Sequence, residues 1–298
     1  MTISPTEGYN DGYHRWWEII EIHSNFFLTF PRDRLPAISG IARHFCTKRE
    51  RQAGDYLAGF WRPDLPHCLY WSCSEYRPKS GHYVAPSWSW ASIGAPVQYN
   101  QSIGLRSLTS LVDIIDISIT PRRGDTFGEI LSGYIRLHCR LCKFIRQPNA
   151  QSLNIVISDG GTLQLGLDKH VKLHWDFEVP ETGAFRADEF WLPLPDGRFH
   201  LSDDVFYLMP LEIKAMNFSH QEVHGLILHR TLQQGQYLRV GAFQYWKMND
   251  EPEHTHQGMN VQAVHEEISE ALLGKLQVLD AENSLQEIVD GKCLIEIV

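Results

Sequence analysis

Gly81-His82-Tyr83-Val84-Ala85-Pro86-Ser87-Trp88-Ser89-Trp90-Ala91-Ser92 is the stretch around which the chain is organised. Pro86 has no backbone donor, so it belongs at the entry of a strand and not in its middle. From there alternation places Trp88 and Trp90 on one face and Ser87, Ser89 and Ala91 on the other. Each indole can bury roughly 150–250 Å², enough to anchor a core, while the small residues opposite let a second layer approach. The stretch therefore reads as a core strand between two layers, and an indole in it can also line a ligand cavity.

Upstream the pattern is helical. Residues 1 to 12 are polar and read as a mobile arm. From Asp11 onward Trp16, Ile19, Ile20, His23 and Phe27 recur at helical spacing. Asp33 reads as the cap of a second helix, with Pro36 in its first turn and Leu35, Ile38, Ile41, Ala42 and Phe45 as its buried stripe. A short third helix is expected over Tyr56 to Trp61.

Downstream of Gly94 the period changes from 3.6 to 2. Strands are expected at Val97–Tyr99, Leu111–Ile119, Gly128–Phe144, Leu153–Ser158, Thr162–Leu167, Val171–Phe177, Phe190–Leu194, Val205–Ile213, Val223–Arg230, Tyr237–Trp246 and Cys293–Val298. Residues 250 to 262 read as a loop and Glu266–Leu276 as a helix. Many strands at short spacing indicate an α+β, mainly β fold: an antiparallel β-sandwich or barrel with an N-terminal helical layer packed on it. No polar, Pro/Gly-rich gap interrupts the chain. Residues 1–298 are therefore expected to form a single compact domain, with 11–62 its helical part and 63–298 its β-rich part.

Composition excludes several functions. A formal net charge of −9 offers no basic face for phosphate backbones, so no nucleic acid is expected as a partner. No apolar run is long enough for a membrane span, and the N-terminus lacks the basic and apolar regions of a secretory signal. Six cysteines without framework spacing read as free thiols in a reducing compartment, which makes the protein cytoplasmic.

The 15 histidines prompt a search for metal ligands. Cys139-x-x-Cys142 stands alone, and in a strand its two side chains point to opposite faces. His220 and His224 lie four apart at the start of a strand, His254-Thr255-His256 sits in a polar loop, and no H-E-x-x-H occurs. No metal is therefore assigned. Glycine-rich nucleotide motifs and the G-x-S-x-G elbow are missing, so no cofactor is assigned either.

Asp33-Arg34-Leu35-Pro36-Ala37-Ile38-Ser39-Gly40-Ile41-Ala42, Tyr56-Leu57-Ala58-Gly59-Phe60-Trp61, Leu69 to Trp71 and Ala85-Pro86-Ser87-Trp88-Ser89-Trp90-Ala91-Ser92 together resemble the region that follows the HET (heterokaryon incompatibility) domain in fungal proteins. Gly225-Leu226-Ile227-Leu228 and Tyr237-Leu238-Arg239-Val240-Gly241 extend the resemblance, which covers about residues 15 to 246. The HET domain itself has no counterpart here. Chains of this kind also resemble stand-alone proteins of fungal natural-product gene clusters. That resemblance implies a cofactor-independent cyclase of secondary metabolism, of the Diels–Alder type (a pericyclase), acting on terpenoid intermediates.

Such a reaction needs an apolar enclosure that orients the reacting carbons and a donor that polarises a carbonyl. The candidate walls for a small hydrophobic substrate are Trp61, Trp71, Tyr83, Trp88 and Trp90, each of which also reads as ordinary core. The candidate catalytic groups are Arg62, Tyr56 and His224, with Arg77 as a further donor. His224 and His229 fall on opposite faces of one strand, so only one is expected to point inward. The alternative function is a non-catalytic protein-interaction module of the incompatibility system, which calls for an exposed apolar patch.

Overall fold

The computed structural model describes residues 5–48, 51–76, 81–99, 108–146, 152–156, 162–166, 171–178, 191–201, 204–215, 220–248 and 292–298. The expected helix Glu266–Leu276, the loop at 250–262, His254, His256 and Arg77 lie outside the described residues. Two helices come first, α1 (Pro5–Ser24) and α2 (Arg34–Thr47). The strands follow as β1 (Tyr56–Leu57), β2 (Phe60–Trp61), β3 (Ser72–Cys73), β4 (Val97–Gln98), β5 (Leu108–Ser110), β6 (Asp113–Pro121), β7 (Ile130–Cys139), β8 (Cys142–Ile145), β9 (Ser152–Val156), β10 (Thr162–Gly166) and β11 (Val171–Trp175). They end with β12 (Trp191–Leu194), β13 (Gly197–His200), β14 (Val205–Ala215), β15 (His220–Arg230), β16 (Gln236–Met248) and β17 (Cys293–Ile297).

The main sheet runs β10-β9-β8-β14-β15-β16-β17-β7-β6, with β11 added on β16 and β5 on β14. The path has two ends, so it is not a closed barrel. Every pairing is antiparallel except that of β16 with β17. The mainly β, α+β class holds, and the sheet is mixed instead of purely antiparallel.

Both faces of the sheet are covered, and alternation sorts the side chains between them. Tyr207, Met209, Leu226, Leu228 and Tyr237 face α1, α2 and the tryptophans in one core. Phe206, Leu208, Val223, Ile227 and Phe243 face Phe144, Phe177 and Phe199 in a second. This double cover is why His224 and His229 are both buried although they point opposite ways. The expectation that only one faces inward assumed a sheet with one wet side.

In the helical layer, α1 begins at Pro5, earlier than the expected Asp11, as suits a proline in a first helical turn. Asp33 precedes α2 but makes no side-chain cap bond. Leu35, Ile38, Ala42 and Phe45 bury as expected, whereas Ile41 is exposed.

Two further corrections concern the aromatic segments. Tyr56 to Trp61 is not a helix but a two-strand hairpin, β1 paired to β2. Its turn residues Ala58 and Gly59 both have positive φ, +48° and +96°, the conformation that a two-residue hairpin turn of the primed type requires. A Cβ on Gly59 would lie 2.3 Å from Trp90 Nε1, so the turn also demands glycine sterically. The Trp88–Trp90 stretch is not a strand. Ser87 and Trp88 form a turn and Trp90–Ser92 a 3-10 turn, whose N-terminal end is capped by Ser89 Oγ accepting from Ala91 N at 3.1 Å. Gly59 O accepts from Trp16 Nε1 at 3.0 Å and Trp90 Nε1 at 3.1 Å, and Ser89 Oγ donates to Ala58 O at 2.6 Å. Hairpin, helix and turn thus satisfy each other's polar groups inside an aromatic core.

Candidate functional site

Along the face of β14, β15 and β16 that meets the helical layer, the side chains change from apolar to polar. The change comes at Glu212. Pairing of β14 with β15 shifts register between Pro210 and Glu212, and the bulge brings Glu212 opposite His224. His224 Nδ1 donates to Glu212 Oε1 at 3.1 Å. His67 comes from the 3-10 turn His67–Leu69, 145 residues away in sequence, and its Nδ1 donates to Glu212 Oε2 at 2.5 Å. On the other side His224 Nε2 lies 3.3 Å from Glu222 Oε1, near enough for charge attraction but without hydrogen-bond alignment. Glu222 Oε1 accepts from Gln244 Nε2, and from Trp246 Nε1 at 3.2 Å. Tyr70 stacks flat on the His224 ring, centroids 4.4 Å apart.

The result is a chain, His67–Glu212–His224–Glu222, buried except at one end. The Glu212 side chain is 1% exposed and that of His224 0%, whereas His67 reaches solvent at 22%. Burial pushes Glu212 up, but hydrogen bonds from His224 and His67 outweigh it and hold the carboxyl below its usual range. Burial likewise opposes charge on His224, and its two carboxylate neighbours prevail, so the imidazole is held above its usual range. Glu222 is lowered against its own burial by His224. Burial drives the Tyr70 hydroxyl up, with Glu222 and Glu212 adding to the effect.

Chemically, this arrangement fixes one imidazole. With Nδ1–H committed to Glu212 Oε2, Nε2 of His67 is the ring nitrogen left with the lone pair. Among the described residues no group of three or more His, Cys, Asp or Glu side chains converges to hold a metal ion. The four residues lie in line and share no common centre.

Of the sequence candidates, His224 belongs to this chain, but as its buried middle member. Tyr56 and Arg62 are not brought to it. Tyr56 is buried with its hydroxyl unpartnered, stacked on Phe127 at 4.7 Å and edge-on to Trp61 at 5.0 Å, and burial raises its pKa. Arg62 is on the surface. Trp61, Trp71, Trp88 and Trp90 are each 1% exposed or less, so they border no space that a water molecule enters. Trp61 is edge-on to Trp16 at 5.5 Å, Trp88 packs on Phe60, and Trp71 Nε1 donates to Trp88 O at 3.2 Å. All four rings are members of the buried core that the helical layer forms with the sheet. Tyr83 differs: it lines an open cleft of about 340 Å³ with Arg122 and Ile130.

His67, Glu212, Glu222 and Tyr70 were not among the sequence candidates. Two signals were legible: Glu222 and His224 are two apart in a strand and so share a face, and Glu212 is the first charge after the apolar run Val205 to Leu211. No protein-family model, curated protein or solved structure matches this chain. Among the described residues no helix is long and apolar enough to cross a membrane.

Proposed function

We propose that the protein is a cofactor-independent enzyme that closes a ring in a small hydrophobic, terpenoid-type molecule, with His67 as its acid–base group. One observation carries this reading: a part-exposed imidazole whose Nδ1–H is held at 2.5 Å by a carboxylate that is itself buried and paired to a second, buried imidazole. Burying such charges is costly, and a chain that ends at solvent supplies an oriented base in return. His67 Nε2 takes a proton from the carbon beside a carbonyl, and the same proton goes to the carbonyl oxygen. The dienol so formed closes in a Diels–Alder-type step that needs no further co-reactant. The resemblance to fungal cyclases supports the substrate class, and free thiols at all six cysteines suit the cytoplasm as its location.

The test is closure of linear or monocyclic terpenoid enones by purified protein in deuterated water. Faster closure than with boiled protein, deuterium beside the carbonyl, and loss of both in His67→Gln are expected. Rates equal to the boiled control across such precursors, or closure unchanged in His67→Gln, overturn the reading.

A second reading, the protein-interaction module, is favoured by one specific feature. Ile22, Phe26, Phe27 and Phe30 stand 63%, 58%, 84% and 66% exposed around the end of α1, an apolar patch of the kind that contacts other proteins. Phe26→Ser/Phe30→Ser leaves ring closure intact under the enzyme reading and abolishes partner binding under this one.

A further inference from the structure

The cleft at Tyr83 shares no residue with the His67 chain, and ring closure as proposed makes no use of it. Four pieces of the fold meet there: the turn at Arg32, the segment entering the tryptophan stretch, the connection between β6 and β7, and the tip of the β12–β13 hairpin. Its charge is opposite to that of the molecule. Arg32, Arg122 and Arg198 line it against a single acid, Glu129, in a chain of net charge −9. Glu129 holds Arg122 through Nε at 2.7 Å, and Arg32 and Arg198 extend the positive rim. Ile130 and Pro195 supply an apolar side, and Tyr83, driven up by burial, keeps its hydroxyl protonated as a neutral donor.

We infer that this cleft binds a phosphate monoester carrying a short apolar body. Three guanidinium groups line one space with only Glu129 as acid among its lining, a surplus of positive charge that suits a dianionic head with three acceptor oxygens, whereas a carboxylate engages a single guanidinium fork. Field lines from a positive cleft in a negative molecule concentrate a small anion there and disfavour a cation of the same size. At about 340 Å³ the space is at the small end of ligand sites and takes a small molecule, not a polymer.

Calorimetric titration of the full chain with hexyl phosphate, hexanoate, inorganic phosphate and hexan-1-ol tests the inference. Hexyl phosphate is expected to bind at least about tenfold more tightly than each of the other three, and about 1 M salt should abolish its binding. Arg32→Gln/Arg198→Gln, both at exposed positions, should keep the native circular dichroism and weaken hexyl phosphate about tenfold or more. Hexan-1-ol, hexanoate or inorganic phosphate matching hexyl phosphate would overturn the inference, as would unchanged affinity in the double variant or no measurable binding at all. Neither arginine belongs to the His67 chain, so ring closure in this variant should stay at the wild-type rate, which keeps the two proposals separable.

Discussion

Arg239 and Glu212 are both buried charges that tie the segment from His67 to Trp71 onto the same face of the sheet, and they are finished differently. Arg239 is closed on every side. Its Nε and Nη2 meet Asp176 at 3.1 and 3.2 Å, Nη1 donates to Leu69 O at 2.7 Å, Nη2 donates to Trp71 O at 2.6 Å, and the guanidinium lies over the Trp71 ring. Burial pulls its pKa down, with Asp176 opposing. Glu212 instead passes its charge along a line that ends at an imidazole in contact with water. A buried charge with a partner at each nitrogen holds the fold together. One with an outlet can exchange a proton.

The largest effect expected from breaking this contrast is on the closed side. Asp176→Ala should leave a buried guanidinium without its counter-charge and cost about 3–5 kcal/mol in urea unfolding. Asp176→Leu/Arg239→Met should recover part of that loss, because it removes both charges together while Leu69 O and Trp71 O lose their donor. Full stability in the single variant would show that the clasp is not what fastens the segment.

Next comes Glu212→Gln, expected to lose about 1–3 kcal/mol of stability as His224 forfeits its main partner. Its turnover should fall about 10²–10⁴-fold for want of an oriented base. His67→Gln sharpens the point: the same fall in turnover with a stability change under about 1 kcal/mol. If the two variants lose stability equally and turnover not at all, the chain is a second clasp.

The pH dependence of unfolding should carry both signs. The His224 imidazolium, raised in the fold, contributes fully below its ordinary value of 6.5, and that contribution is lost as pH rises through its folded pKa. Glu212 and Glu222, lowered in the fold, contribute fully above 4.5 and lose it as pH falls through theirs. The melting temperature should therefore peak between these two values, and His224→Gln should flatten its alkaline side. The smallest effect is expected at Phe27→Ser, within about 0.5 kcal/mol of wild type, since the ring lies almost wholly outside the core.

Much of the sheet was legible because alternation survives in long strands. Expected Val205–Ile213 and Tyr237–Trp246 correspond to β14 and β16 with ends moved by up to two residues. What escaped was local and short. Ala58-Gly59 carries only half the glycine and asparagine signature of a primed turn, so the hairpin passed for a helix. Trp88 and Trp90 do bury, but through a turn that offers one side of each ring to the same core and obeys no period. The site was hidden for another reason. Glu212, His224 and His67 meet only through a bulge, a strand pairing and a separation of 145 residues, none of which leaves a local trace.

The parallel register of β17 has an effect on how the chain is assembled. Among the described residues this strand alone lies between β16 and β7, joining Tyr237 to Ile297 on one side and Ile135 to Ile297 on the other. Ser87, from the tryptophan stretch, is also anchored on Val298 O. Without residues 293–298, β7 and the Gln236–Tyr237 end of β16 would each present an unpaired border capable of recruiting a foreign strand, while β11 covers Gly241–Tyr245. The joint between the two halves of the sheet therefore rests on one short strand, and removing residues 293–298 would reopen that seam.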